Sequence, residues 1–206
     1  MVQSGHTTKK EVVAEFRRHE ILQAARKVFA RQGYRATTVD EIAEEGGIAK
    51  GTLYLYFKSK EEIYLTALTH DVQALLEETS RRVALAPNTH AKLSEFVTIR
   101  LEHSERDADF VRIFFSEFSN LAMSPARVNK SFQNLMLQSN ELLRRVLEQG
   151  IASGEVRALP VDRLAFAIND LTRSMIERRL MGFVNSQAPD DLAFVMDLIW
   201  RGIAGR

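Results

Sequence analysis

The stretch of residues 38–62 limits the possible fold more than any other part of the chain, because two helix starts lie close together in it. Thr38 with Glu41, and Ser59 with Glu62, have the spacing of a capping box, in which a hydroxyl and a carboxylate bond the unpaired backbone N–H groups of a helix start. A Gly-Gly pair lies between the two boxes, and glycine commonly ends helices. We therefore expect two very short helices joined by a tight turn, followed by a longer helix.

The remainder of the chain is also predicted to be helical. Apolar residues recur at helical spacing on both sides of this stretch, and each of the four prolines falls where one helical pattern stops and another starts. No alternating run of Val, Ile and Thr indicates a strand. The expected fold is all-α, with about nine helices. Beyond the long fourth helix, the predicted helical segments are approximately residues 89–105, 108–121, 125–152, 161–184 and 189–204.

Composition excludes several functional classes. The chain has 206 residues, of which 45% are hydrophobic and 27% are charged, as in ordinary globular proteins. It contains no cysteine, and its five histidines show no close-paired ligand spacing, so we expect neither a metal nor another cofactor. No run approaches the ~20 apolar residues of a membrane span, so we expect a cytoplasmic protein with no membrane partner.

Two short helices that are joined by a glycine turn and packed on a preceding helix have the outline of a helix-turn-helix. The second of them, at about residues 50–57, is too short to be stable alone. Leu53 and Phe57 have the i,i+4 spacing that would anchor it on the helices behind, so its other face is open to a partner. The residues of that open face are Lys50, Gly51, Thr52, Tyr54, Leu55 and Tyr56.

The open face suits the major groove of DNA. Glycine permits close backbone approach, lysine and threonine can bond bases, tyrosine hydroxyls can reach phosphates, and Leu55 can contact only a thymine methyl or the groove wall. The chain before Asp40 is rich in basic residues such as Arg17 and Arg18, which face either phosphate or solvent. The alternative, in which the tyrosines are core aromatics, is disfavoured because the two anchors already supply the buried face.

The sequence T-T-V-D-E-I-A at residues 37–43, followed by G-I-A-K-G-T-L-Y-L-Y-F-K-S-K-E-E-I at residues 47–63, resembles the DNA-binding domain of TetR-family transcriptional regulators. A later segment, G-I-A-S-G-E-V-R, is similar to a turn in the regulatory domain of that family. The resemblance implies three parts. These are a tail or an extension of the first helix at residues 1–16, a helix-turn-helix DNA-binding domain at residues 17–65, and a helical ligand-binding and dimerisation domain at residues 66–206.

The resemblance also implies roles for single residues. Thr38 would contact phosphate from the start of the second helix, and Tyr56 and Lys60 would hold further phosphates. The residues facing bases or the adjacent backbone would be Lys50, Gly51, Thr52 and Tyr54. Asp40 departs from the family pattern, because relatives often carry a base-reading arginine there, and we expect it to complement the helix N-terminus. The operator sequence is therefore not implied.

For the second half of the chain, the resemblance implies a ligand-binding domain. Bulky apolar residues concentrate in three neighbouring helices and make an apolar cavity credible, although each of them alone is more simply ordinary core. The expected effector is a lipophilic, aromatic or acyl-type small molecule, and Arg173 could pair with a carboxylate or phosphate on it. The candidate ligand-binding residues are His103, Phe110, Phe114, Phe118, Phe132, Met136, Phe166, Asn169 and Arg173.

The last predicted helix is apolar around most of its circumference, which is more than one core face can use. Packing against both its own domain and a second copy of the chain would cover that surface, as in the four-helix interface typical of the family. The alternative is a helix that is fully buried within a monomer. The candidate interface residues are Met175, Leu192, Val195, Met196, Ile199 and Ile203.

These features predict a ligand-responsive regulator of transcription. The expected form is a repressor that binds a near-palindromic double-stranded operator as a homodimer and leaves it when a small effector binds. The alternative is an activator, or an all-helical DNA-binding scaffold, without small-molecule release. An enzyme is disfavoured, because His103, Ser104 and Glu105 offer catalytic groups but lie too close along one helix to converge on one reacting atom.

Overall fold

The computed structural model describes residues 9–123 and 130–205. The described residues form nine α-helices and no strand, which confirms the predicted all-α fold. None of these helices is both long enough and apolar enough to cross a membrane. In chain order they are α1 (Lys9–Ala36), α2 (Val39–Glu45), α3 (Lys50–Tyr56), α4 (Lys60–Leu85), α5 (Thr89–Arg106), α6 (Ala108–Met123), α7 (Lys130–Ala152), α8 (Val161–Leu180) and α9 (Ala188–Ile203).

The regular part of α1 ends at Gly33. The backbone of Gly33 is left-handed, with a φ of 77°, a conformation that residues with a side chain rarely adopt. The carbonyl of Gly33 accepts a hydrogen bond from the hydroxyl of Thr37 (2.8 Å). Gly33 therefore separates the regular helix from the turn that leads into α2.

The helices α2 and α3 have the predicted short lengths, at seven residues each. At the start of α2 the Thr38 hydroxyl accepts the N–H of Glu41 (3.2 Å), and the Glu41 carboxylate accepts the N–H of Thr38 (2.7 Å). The predicted capping box is therefore present. Gly47, with a φ of 60°, forms part of the turn between the two helices. The predicted anchors of α3 are confirmed, because Leu53 and Phe57 are only 0% and 1% exposed.

The start of α4 forms half of the predicted capping box. Ser59 accepts the N–H of Glu62 (3.1 Å), but the Glu62 carboxylate accepts the N–H of Lys58 (2.6 Å). From there α4 runs to Leu85 and packs against α1, α5, α6 and α7. It therefore connects the helix-turn-helix to the rest of the chain.

The helices from α5 to α9 form a bundle in which α5 contacts α4, α6, α7, α8 and α9. The buried apolar residues form one cluster that extends from α1 to α9, and the division of the chain after residue 65 stays a prediction. One predicted boundary is wrong, because α8 ends at Leu180 rather than at residue 184, ahead of a left-handed Gly182 with a φ of 74°. The predicted helix start at residue 125 lies outside the described residues.

Candidate nucleic-acid interface and ligand cavity

The face of α3 opposite its anchors is open to solvent. Leu55 is 80% exposed and Tyr54 is 48% exposed, so neither side chain is buried within the protomer. Of the six residues that the sequence predicts for this face, four are exposed, namely Lys50, Gly51, Tyr54 and Leu55. The other two, Thr52 and Tyr56, are half-buried. The structure therefore brings the predicted base-facing residues together on one helix surface.

Gly51 is not a glycine that the fold requires. A Cβ atom added at this position would meet no atom within 4 Å, and the residue has no positive φ. Glycine lowers helix stability relative to alanine, so its presence within α3 is unfavourable for the isolated protein. The absence of a side chain instead leaves the α3 backbone accessible to a close partner.

Lys50 at the start of α3 is paired with Asp40 of α2. Its Nζ donates to the Asp40 carboxylate (2.8 Å), and both side chains are at least half exposed. The hydrogen bond that Lys50 donates to Asp40 raises the pKa of Lys50. Asp40 lies in the first turn of α2, as expected, and it also positions a predicted base-facing cation.

Lys60 bonds the end of α1. Its Nζ donates to the carbonyls of Tyr34 (2.8 Å) and Thr37 (2.6 Å) and lies 4.5 Å from the centroid of the Tyr34 ring. These charge-assisted bonds satisfy carbonyls at the point where the first helix gives way to a turn. A phosphate contact of Lys60 stays a prediction, since its ammonium already has acceptors within the fold.

Three other residues predicted to contact phosphate also have partners within the protein. Arg18 donates to the carbonyl of Tyr56 (3.2 Å) and so holds the end of α3 on α1. Arg17 is exposed and pairs with Glu20 (2.7 Å). The Thr38 hydroxyl takes part in the capping box of α2. The DNA contacts of these residues stay predictions.

A cavity of about 430 Å³ lies among α4, α5, α6, α7 and α8. Its volume is in the range of small-molecule sites, and most of its wall is apolar. The predicted ligand-binding residues that line it are His103, Phe110, Phe114, Met136, Phe166, Asn169 and Arg173. The structure therefore brings most of the predicted set to one cavity.

The prediction for Phe132 is wrong. Phe132 is fully buried, with its ring 5.7 Å from that of Phe114, and it is not part of the cavity wall. The apolar repeat of a helix does not separate residues on a wall from residues packed behind it, so the sequence contains no signal for the difference. Phe118 lies outside the residues whose side chains the structure describes.

Two of the polar residues predicted for the cavity have partners within the protein. Arg173 forms ion pairs with Asp170 (3.2 Å) and Glu177 (3.5 Å) on its own helix. The amide of Asn169 donates to the side-chain oxygen of Asn140 (3.2 Å) on α7. A ligand that binds Arg173 must therefore compete with two carboxylates.

His103 is the third polar residue of the predicted set. Its ring contacts that of Phe110 edge to face, with centroids 4.7 Å apart, and its buried Nε2 has no hydrogen-bond partner among the described residues. Burial lowers the pKa of His103, and nearby Asp107 opposes that shift. The imidazole is therefore neutral near pH 7 and suits a hydrogen bond with a ligand. Among the described residues, no three His, Asp or Glu side chains are grouped as metal ligands.

Arg100 also lines the cavity, from α5, and is absent from the predicted site residues. Its guanidinium donates to the carbonyl of Phe96 (2.8 Å) and to the hydroxyl of Ser139 on α7 (2.7 Å). Burial lowers the pKa of Arg100 to about 9. An arginine on an amphipathic helix has the sequence pattern of a solvent-facing cation, so no local signal distinguishes it.

An ion-pair cluster joins the cavity wall to the helix-turn-helix. Arg26 of α1 pairs with Asp71 of α4 (2.9 Å) and with Asp107, which lies between α5 and α6. Asp107 also accepts the N–H of Phe110 (3.0 Å), a residue of the cavity wall. Burial raises the pKa of Asp107, but the bonds from Phe110 and Arg26 outweigh it and leave the pKa below its ordinary value. The cluster therefore carries a charged carboxylate that contacts both regions.

Comparison with known proteins agrees with this geometry. Residues 21–67 match the family model for bacterial regulatory proteins, tetR family. The chain is 33% identical to the HTH-type transcriptional repressor KstR2 of Rhodococcus jostii over 150 residues, which are 73% of this chain and 72% of that protein. The chain belongs to the TetR family. As a member of this family, the chain is a ligand-responsive DNA-binding transcriptional regulator. The family is one of transcriptional regulators rather than of enzymes.

Two solved structures share the fold of this TetR-family chain. The ketosteroid transcriptional regulator KstR2 of Mycobacterium tuberculosis matches with a TM-score of 0.73 and 29% identity, over 92% of this chain and 96% of that chain. The transcriptional regulator FadR from Bacillus subtilis, in complex with stearoyl-CoA, matches with a TM-score of 0.80 and 23% identity, over 90% and 98% of the two chains. The TetR-type architecture therefore extends well beyond the DNA-binding helices.

Most of the predicted dimer residues of this TetR-family chain face its own core, which corrects their assignment. The residues buried within the protomer are Val195, Met196, Ile199 and Ile203. A helix that is apolar all round does not show which half its own protomer covers, so the sequence could not separate the two faces. The exposed large apolar residues of α9 are Phe194 (57%) and Leu198 (53%), while Met175 and Leu192 are half-buried. Dimerisation itself stays a prediction.

Proposed function

We propose that this chain is a dimeric repressor that binds a near-palindromic operator and leaves it when a small lipophilic, aromatic or acyl-type effector binds. The observation that carries the proposal is the open face of α3, whose side chains the fold leaves uncovered. In this proposal residues 17–65 form the DNA-binding domain and residues 66–206 form the ligand-binding and dimerisation domain. Residues 1–16 are a tail or an extension of the first helix, and residues 9–16 lie within α1. The protein would act in the cytoplasm, where bacterial DNA lies.

The α3 face carries groups that can read a major groove. Lys50 can reach guanine acceptors, Thr52 can bond a base or a phosphate, and Tyr54 can bond the phosphate backbone. Leu55 can contact a thymine methyl group. Because Lys50 is paired with Asp40 (2.8 Å), it must exchange a carboxylate for a base acceptor when it binds. We expect that exchange to make the operator contact selective rather than a simple attraction to phosphate.

A near-palindrome requires two copies of α3. The exposed Phe194 and Leu198 on α9 support pairing through this end of the bundle, because a second copy would remove both from water. A two-fold axis between the copies would repeat each contact and present two α3 helices to DNA. The half-sites would then lie one helical turn of DNA apart, about 34–36 Å, or a multiple of it.

The cavity supports a mainly apolar effector. Phe110, Phe114 and Met136 are part of its wall, and the flexible side chain of methionine would let the wall adapt to a ligand. Stearoyl-CoA in FadR and the ketosteroid in the name of KstR2 both have a large lipophilic part, which favours the same class here. We therefore propose a lipophilic or acyl-type molecule in this cavity.

The cluster around Arg26 provides a route from the cavity to the DNA-binding helices. A ligand that presses on Phe110 would shift the start of α6 and with it Asp107. Asp107 would then change its pairing with Arg26 of α1, to which α3 is held by the bond from Arg18. A coupling of about 1–3 kcal/mol between the two sites would weaken operator binding by roughly 5- to 150-fold.

Selection of bound sequences from a randomised duplex pool at near-physiological salt tests the proposal, with Tyr54→Ala run beside the unaltered protein. We expect a near-palindrome that only the unaltered protein enriches. Tyr54 is 48% exposed, so its truncation leaves the core intact. Binding that enriches no sequence and merely decays as salt rises would refute the operator-binding regulator and favour a DNA-binding scaffold.

A reporter gene placed behind the selected operator separates repression from activation. Expression of the chain is expected to lower reporter output, and an effector that enters the cavity is expected to restore it. An increase in output on expression would instead identify an activator, since both use the same DNA-reading helices.

A further inference from the structure

Arg100 has an unusual position for a cation, because its guanidinium faces an apolar cavity with only neutral partners. The partners are the carbonyl of Phe96 (2.8 Å) and the hydroxyl of Ser139 (2.7 Å). The Phe96 ring lies beneath the guanidinium, with its centroid 3.4 Å from Cζ. These contacts use two of the five N–H donors of an arginine and fix the plane of the group.

The charge of Arg100 is not balanced within the described protein. Arg100 forms no ion pair with the described residues, and burial alone accounts for the lowering of its pKa to about 9. The group is therefore still a cation near pH 7. The side chain is half-buried. Removing a charge from water without a counter-ion costs free energy, which a bound anion would offset. Arg173, in the same cavity, differs because Asp170 and Glu177 already pair with it.

We propose that the effector is an amphipathic organic acid whose carboxylate pairs with Arg100 while its apolar part fills the rest of the cavity. This inference rests on the proposed function, which it makes more specific by assigning a charged head group. The planar guanidinium can bind a carboxylate through two parallel N–H bonds. The hydroxyl of Ser139, which accepts a bond from Arg100, can donate its own proton to the same carboxylate.

The chemistry of the cavity wall suits an acid of this kind. Arg100 of α5 and Ser139 of α7 supply polar groups to the wall, and Phe110 and Phe114 of α6 supply aromatic rings. The two rings lie 5.8 Å apart at a tilt of 36°. An alkyl chain or an aromatic ring can lie along them, so the apolar part of the acid can be aliphatic or aromatic.

Isothermal titration of the full-length protein with two matched pairs of probes tests the inference. The aliphatic pair is decanoate and decanol, and the aromatic pair is naphthoate and naphthylmethanol. We expect at least one acid to bind tenfold or more tightly than its alcohol. In Arg100→Met that preference is expected to fall below threefold, with the alcohol affinity unchanged. Arg112→Met, which removes an exposed arginine outside the cavity wall, should keep the preference of the unaltered protein.

Several outcomes would overturn the inference. One is equal binding of acid and alcohol, and another is an acid preference that Arg100→Met retains. Loss of the preference in Arg173→Met, but not in Arg100→Met, would identify the other arginine as the anchor. If Arg100→Met does not fold, Arg100→Lys is expected to weaken acid binding severalfold, because lysine lacks the planar pair of donors. An unchanged acid affinity in that variant would also refute the inference.

The same experiments distinguish this inference from the proposed function. Decanoyl-CoA, in which the carboxylate is a thioester, is the third type of probe. If it binds and releases the operator while neither acid does so, the regulator proposal stands and the carboxylate inference fails. If none of the probes binds, the effector part of the proposed function fails together with the inference. Operator binding is measured without any probe and is not affected by either result.

Discussion

Gly51→Ala is expected to stabilise the protein and to weaken its binding to DNA. The free energy of unfolding should rise by up to about 1 kcal/mol, because alanine is the better helix former. The added methyl group has open space around it, since a Cβ atom at this position of α3 meets no other atom within 4 Å. For a chain of this size, that change corresponds to a rise in melting temperature of about 2–4 °C.

The effect on DNA binding has the opposite sign. If the α3 backbone approaches a base or the sugar-phosphate chain closely at Gly51, the added methyl group must overlap it. Overpacking of a tight contact costs about 1–3 kcal/mol, which is roughly a 5- to 150-fold loss of affinity. Fluorescence anisotropy with the selected operator measures the affinity, and thermal unfolding of the same preparations measures the stability.

Gly202→Ala is the matched control for this substitution. Gly202 is also an exposed helical glycine with no atom within 4 Å of an added Cβ, but it lies on α9. We expect a similar gain in stability with an unchanged operator affinity, and sedimentation checks that the association state is the same. An unchanged operator affinity in Gly51→Ala would refute the close approach of α3 to DNA at this residue.

Three further substitutions test other parts of the structure. Lys60→Met is expected to lower the free energy of unfolding by about 1.5–3 kcal/mol, because the substitution removes charge-assisted bonds at the end of α1. Lys58→Met, at an exposed side chain, should change the free energy of unfolding little. Equal thermal melts of the two variants would contradict that role. Asp107→Asn weakens the pairing with Arg26. We expect this variant to keep its operator affinity, and we expect effector-induced release from the operator to fall severalfold. Full release in an anisotropy titration would exclude the route through Arg26. Leu198→Glu places a charge on the exposed face of α9 and is expected to convert dimers to monomers in sedimentation velocity, while an intact dimer would locate the interface elsewhere.

The helix-turn-helix could be predicted because its determinants are local. The capping box of Thr38, the cap at Ser59 and the anchors of α3 all depend on residues within a few positions of one another. Most of the cavity residues could also be predicted, since aromatic residues concentrate in adjacent helices. The signals that succeeded are therefore those in which spacing along the chain determines proximity in space.

The remaining features depend on contacts between distant segments. The hydroxyl that Arg100 binds lies on α7, and the carbonyls that Lys60 binds lie at the end of α1. Neither pairing leaves a local trace, so the sequence does not indicate the internal partners of either cation. The dimer assignment of Val195, Met196, Ile199 and Ile203 is wrong for a related reason, because the packing of α9 on its own bundle decides that Val195 is buried while Leu198 is exposed.

The anchors and the open face of α3 have separate roles, and this separation affects how the sequence of such a protein can evolve. Its anchors, Leu53 and Phe57, hold the helix in place, while the neighbouring Leu55 is largely surrounded by solvent. Substitutions on the open face are therefore expected to alter which DNA is bound without a large effect on folding. A population of such chains can drift to new operators through folded intermediates, and a designer can randomise this face in a library and expect most members to remain soluble and helical.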